Sequence, residues 1–136
     1  MADDFLDAAA DRAFASLQRA GGDPRKLENP LRAVAIIYAA QGSMDNGGLR
    51  YFFESDWPGQ PPYAVFAEAY RNIGATAHAS AIEEGANVFP FQNPEREGGR
   101  RRECLGGTEG DHIDAIDRGL GEDVWKLLGE YTRSHE

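Results

Sequence analysis

The sequence SMDNGGLRYFFESDW, residues 43–57, decides the fold. Asn46-Gly47-Gly48 interrupts the backbone, because Asn and Gly accept the positive φ that other residues avoid. Leu49, Phe52 and Phe53 then fall at i, i+3 and i+4, on one face of a helix. Tyr51 and Trp57 add two more rings to the same short stretch. A tight turn feeding a ring-dense helix predicts a structural role for Asn46, Gly47, Gly48, Leu49, Phe52 and Phe53, with the three apolar residues anchoring a small core.

Upstream, Asn29-Pro30 reads as the cap and first-turn proline of a helix over about 30–43. That helix is apolar nearly all round (Leu31, Val34, Ile36, Ile37, Tyr38), as a buried central element would be. Its β-branched residues would also suit a strand, but the cap and the alanines favour helix. Asp3 and Asp4 are placed to cap a first helix that ends near Ala20 and buries Leu6, Ala9, Ala13 and Leu17. Gly21-Gly22-Asp23-Pro24 stops it.

Downstream, Trp57-Pro58-Gly59-Gln60-Pro61-Pro62 cannot continue a helix. A helix over 62–73 follows, with Tyr63, Phe66, Ala67, Tyr70 and Ile73 on one face, and Gly74 breaks it. The next, over 75–89, carries the stripe Ala75, Ala79, Ile82, Ala86, Phe89. Residues 90–110 turn to glycine, proline and mixed charge, which predicts a long, mobile surface loop. Ile113, Ile116, Leu120, Val124, Leu127 and Tyr131 then give a short helix, a bend, and a helix over about 122–134. Strand alternation and internal repeats are absent, so the expectation is all-α: one compact domain, residues 1–136, of six to seven helices.

Composition narrows the function classes. The 136 residues carry 23 acids against 14 bases, a net charge of −9. That charge disfavours a direct nucleic-acid or anionic-membrane binder and suits a basic partner. The single cysteine, Cys104, has no internal disulfide partner, which fits a reducing compartment. The start, MADDFLDAAADR, lacks an apolar signal core, and the apolar run Ala33–Ala40 is too short to span a bilayer. The expectation is a soluble, cytoplasmic protein.

Catalytic chemistry finds little support. His78, His112 and His135 are scattered, and no metal-binding spacing of His or Cys exists, so no metal and no cofactor is expected. Asp111-His112 reads as a solvated helix start with Asp111 as the cap, because i and i+1 diverge on a helix. Arg100-Arg101-Arg102 precedes Cys104, and cations lower a thiol pKa, yet no histidine lies close in sequence. The glycine pairs match no phosphate-binding template. The arginines of Arg96–Arg102, interleaved with Glu95, Glu97 and Glu103, read as a self-neutralising, solvated stretch. No catalytic residue is assigned, and the protein is expected not to be an enzyme.

The acids are the informative feature. Glu109, Asp111, Asp114, Asp117, Glu122 and Asp123 cluster near the C-terminus, opposed by Arg118. Asp3, Asp4, Asp7 and Asp11 form a second set, and Asp45, Glu54 and Asp56 surround the central turn. Carboxylates on successive helical turns lie roughly 5–6 Å apart, and one DNA strand presents a phosphate about every 3.4 Å. Two such ridges would imitate a stretch of duplex backbone and capture Lys and Arg side chains. The plainer reading is ordinary solvated helix faces.

Asn46-Gly47-Gly48 followed by an apolar residue and the Phe52-Phe53 pair resembles the signature of the bacterial DMP19-like family, a domain family of unknown function. The likeness runs on through Tyr63-Ala64-Val65-Phe66, Asn72-Ile73-Gly74-Ala75 and the 86–89 stretch. The family often has Gln before the aromatic pair, where this chain has Tyr51. It includes a DNA-mimic protein, an acidic helical protein that occupies the DNA-binding surface of a transcriptional regulator. The resemblance therefore implies a basic DNA-binding protein, a regulator or nucleoid protein, as partner; the first and C-terminal acid sets, read from the sequence itself, are the surface expected to bind it. Two alternatives stand beside it: a small-molecule binder or enzyme with a pocket beside Asn46 formed with Tyr51, Trp57 and Tyr63, and an immunity-type inhibitor.

Overall fold

In this computed structural model residues 4–135 are described. Among them seven α-helices follow one another without a strand: α1 Asp4–Arg19, α2 Leu31–Glu54, α3 Tyr63–Asn72, α4 Thr76–Ala86, α5 Gly98–Leu105, α6 Thr108–Asp117 and α7 Val124–Ser134. Short 3-10 turns lie at Pro24–Lys26 and Pro94–Arg96. The fold is all-α, a single compact domain. No helix among the described residues is long and apolar enough to cross a membrane.

α2 is the axis, touching α1, α3, α5, α6 and α7. It begins where the Asn29 side chain accepts the Ala33 N–H at 3.2 Å, one of the orphan donors of a helix start. The two helices expected around the glycines are the two limbs of this one kinked element. The first limb buries Ala33 to Ile37, Ala40 and Met44. Gly48 (φ 72°, ψ −170°) breaks the ladder, and the second limb carries Leu49, Phe52 and Phe53, all three fully buried.

The Phe pair gathers the core around itself. Phe52 packs against Tyr63, Phe66 and Trp57 at 5.2–5.7 Å between centroids, and Phe53 against Tyr63 and Phe89 at 4.9 and 5.5 Å. Tilted and edge-on pairs of this kind add about 0.5–1.5 kcal/mol each beyond simple burial. α4 comes this close because Gly85 has no side chain: a Cβ there would lie 2.6 Å from the Phe53 ring.

Residues 90–110 are not the continuous loop their composition predicts. They form a 3-10 turn, α5 and the first turn of α6. Composition misleads because it treats arginine as solvated, whereas Arg101 is completely buried. Its guanidinium donates to the carbonyls of Phe53 (2.8 Å), Ser55 (3.0 Å) and Pro94 (2.5 Å) and to the Asp56 carboxylate (2.6 Å). Arg102 adds the Glu54 carbonyl and the other Asp56 oxygen, both at 3.1 Å. Together they satisfy carbonyls at the C-terminal end of α2, the negative end of its dipole. Asp56 reaches in over Gly98, where a Cβ would sit 2.2 Å from its carboxylate. These bonds hold Asp56 below the usual carboxylate range.

Candidate functional site

The site is built from the kink outward. Gly48 occupies backbone space that is essentially reserved for glycine. There the Leu49 N–H restarts the ladder by donating to Asp117 of α6 at 3.0 Å. Asp117 thus caps the second limb from another helix, and a Cβ on Gly48 would lie 3.0 Å from its carboxylate. A Cβ on Gly47 would collide with Tyr51 at 2.6 Å.

One turn further along, Arg50 is pinned by Asp114 at 2.8 and 3.2 Å and also donates to the Leu105 carbonyl. The mutual hydrogen bonds raise Arg50 and hold Asp114 below its ordinary range, while Glu54 and Asp111 add their fields to Arg50. Gly110 makes room, since a Cβ there would come within 2.8 Å of the Arg50 guanidinium.

On the other side of the kink, Asp45 accepts Trp125 Nε1 at 2.7 Å and Gln41 Nε2 at 3.0 Å. Trp125 stands edge-on to Tyr38 at 5.3 Å, and the Tyr38 hydroxyl donates to Asp7 of α1 at 3.1 Å. That bond first, then burial and the charges of Asp7 and Asp11, push the Tyr38 hydroxyl up. Acids of α1, of α2 beside the kink and of α6 are thus each held by another element: Asp7 by Tyr38, Asp45 by Trp125, Asp117 by the Leu49 N–H and Asp114 by Arg50, while Asp11 bears on Tyr38, and Asp111 and Glu54 on Arg50, through charge alone.

Other predicted acids have different surroundings. Glu122 turns inward and accepts the N–H groups of Ala77 (3.1 Å) and His78 (2.8 Å), capping α4, and meets His78 Nδ1 at 2.6 Å. Burial raises its carboxyl, but the bonds from His78 and Ala77 outweigh that and leave it below its ordinary value. Asp123 caps α7 by accepting the Lys126 N–H at 3.2 Å. Glu109 belongs to the α5–α6 side, where with Glu103 its charge bears on Cys104. Asp4 is exposed at the start of α1, and Asp3 lies outside the described residues.

Other expectations are corrected here. Asp111 is not a cap, because α6 starts at Thr108 and its N-cap residue is Gly107. Cys104 sits half-buried on α5, and burial with Glu109 and Glu103 raises its thiol against the opposing Arg100. The four residues of the supposed pocket beside Asn46 diverge. Trp57 and Tyr63 pack into the Phe52 cluster, while Asn46 and Tyr51 face solvent, Tyr51 at 46 % exposure. No group of three or more His, Cys, Asp or Glu among the described residues could hold a metal ion.

Sequence reading missed Trp125, Tyr38 and Arg50 as residues that hold these acids. Only Arg50, adjacent to Leu49 in the central stretch, carried a signal: an isolated cation amid acids. The sequence model of DMP19-like proteins matches residues 25–135, a span that holds the kink and α6 but not Asp7 or Asp11. No curated protein and no solved structure matches the chain. The matched span covers most of the chain, which belongs to the DMP19-like protein family.

Proposed function

We propose that this protein is a non-enzymatic, cytoplasmic binder that presents carboxylates in place of DNA phosphates to the DNA-binding surface of a basic regulator or nucleoid protein. Family membership is consistent with that role. The observation that supports it is that four acids on α1, α2 and α6 (Asp7, Asp45, Asp114 and Asp117) are fixed by Tyr38, Trp125, Arg50 and the Leu49 N–H. A carboxylate already held in place loses little freedom on meeting a cation. Partner Lys and Arg side chains that grip phosphate would grip these acids by the same charge-assisted bonds.

The test is affinity capture from lysate of the native host on the immobilised protein, eluted by a salt gradient, with a duplex-DNA competitor in a parallel run. The expected result is a DNA-binding protein released by moderate salt and by DNA, because such contacts are strongly salt-dependent. Asp11→Asn, Asp111→Asn and Glu54→Gln, which remove charges the hydrogen bonds described above do not use, should lower the salt needed for release. Retention that ignores both salt and DNA would refute the reading.

A further inference from the structure

A cleft of about 240 Å³ opens where the end of α1, the first limb of α2 and the 57–61 connection meet. Ala35, Ile36 and Phe66 line it and are buried. Phe14, Leu17 and Trp57 line it too, but they are only half-buried, so the cleft is reached from solvent. Almost no polar atom comes to its walls, in a chain of which 27 % is charged. Trp57 is the one ring there with a polar group, and its Nε1–H already donates to the Phe52 carbonyl at 3.2 Å. The walls are also held from behind. Trp57 packs on Phe52 and Phe66 at 5.5 and 5.6 Å between centroids, and Phe14 stands edge-on to Tyr38 at 5.8 Å. A pre-formed, aromatic-lined apolar concavity is the usual form of a small-molecule site.

Size and lining together select the ligand. An apolar cavity of about 150 Å³ takes benzene, and drug-sized ligands use about 300 Å³ or more. A cleft between those limits suits one ring or two fused rings. A charged ligand would lose its hydration against walls that offer neither counter-charge nor hydrogen bond, so an uncharged one is favoured. The rings and prolines around the cleft present flat, rigid faces. An aromatic guest gains ring-to-ring contact there beyond its burial, and it loses less freedom on binding than an alkyl chain of equal bulk.

We propose that this cleft binds a small, uncharged aromatic molecule of one or two fused rings, of the indole class, between Phe14 and Leu17 of α1, the Ala35–Ile36 surface of α2 and Trp57. None of the lining residues is among the acids proposed to meet a basic partner, so this site stands or falls separately from that reading. The experiment is ¹H–¹⁵N NMR titration of the full chain with indole at millimolar concentration, alongside indole-3-acetate and tryptamine, which add a negative or a positive charge to the same ring. Indole should saturate and shift the Trp57 indole N–H and the amides of residues 14–22 and 35–39, and both charged analogues should bind at least about tenfold more weakly. Ala39→Leu adds bulk at a half-buried position of the lining; it should fold normally and abolish saturation. Leu17→Ala should weaken indole binding about tenfold through lost apolar contact. Absence of saturable indole binding, equal or tighter binding of either charged analogue, or unchanged affinity in both variants would overturn the proposal.

Discussion

Arg101→Ala tests the account of the fold most directly. The side chain is fully buried and makes four hydrogen bonds, three to backbone carbonyls and one to Asp56. Truncation leaves the Phe53, Ser55 and Pro94 carbonyls without that donor and opens a void beneath α5. Breaking a buried ion pair from one side costs about 3–5 kcal/mol. Here the partner carboxylate is 56 % exposed and rehydrates, so the loss comes from the carbonyls and the void more than from a stranded charge. Unsatisfied buried acceptors cost about 1–3 kcal/mol each; water entering the gap recovers part of that, and about 3–5 kcal/mol remains the expected total.

Against a whole-domain stability of about 5–15 kcal/mol, such a loss is large. At about 4 °C per kcal/mol for a chain of this size, Tm should fall by about 12–20 °C. Thermal and urea unfolding followed by circular dichroism at 222 nm measure it. Arg102→Ala is the internal control: its side chain is 47 % exposed, and exposed ion pairs contribute about 0–1 kcal/mol. Arg101→Lys should lose nearly as much as Arg101→Ala, because an ammonium cannot span acceptors that a planar fork reaches. If Arg101→Ala costs no more than Arg102→Ala, the buried arginine is not what orders residues 90–110.

Glu122 has a folded pKa below its ordinary value, so its contribution is complete above about pH 4.5 and is lost as pH falls through the folded value. Glu122→Gln should flatten that acid limb in a series of urea unfolding curves from pH 3 to 7 and lower stability at neutral pH by about 1–2 kcal/mol, the worth of a helix cap. Gly48→Ala should cost about 1–3 kcal/mol through its glycine-only backbone and the Asp117 contact. Gly99→Ala, on α5 with open space around it, should instead stabilise by up to about 1 kcal/mol, and urea midpoints of the two variants moving in the same direction would contradict one of the two assignments. Alkylation of Cys104 in the native protein at pH 7 should be slower than that of a free thiol, because burial and Glu109 raise its pKa.

The legible part of the fold was the part governed by apolar periodicity and glycine. The Asn46-Gly47-Gly48 interruption, the Leu49–Phe52–Phe53 anchor and the stripes of α3 and α4 follow from side-chain spacing alone, whereas α7 buries Val124, Leu128 and Thr132 and leaves the predicted Leu127 and Tyr131 half-buried. What stayed hidden was polar pairing across long sequence separations. Arg101 meets Phe53 and Asp56, Glu122 meets the start of α4, and Asp117 meets Leu49, in each case 44 or more residues away. A local window shows only a charge near other charges, which reads equally as a solvated face or a buried bond. The acids were visible as a population, while the division between those that hold the fold and those that face outward was not.

That division sharpens the functional argument. Net charge alone counts Glu122 and Asp123 with the partner-facing acids, yet both satisfy backbone N–H groups at helix starts. Asp114 and Asp45 each engage both carboxylate oxygens internally. Asp7 and Asp117 differ: each is fixed through Oδ1, by Tyr38 and by the Leu49 N–H, with the described bonds leaving Oδ2 unused. An acid tethered at one oxygen combines a fixed position with a spare acceptor, which is what a phosphate on a duplex presents to an arginine. These two lie on opposite sides of the kink, so the bend at Gly48 sets their mutual placement. The glycines that shape the core thereby also shape the proposed partner surface, and a substitution that straightened α2 would move acids that it never touches.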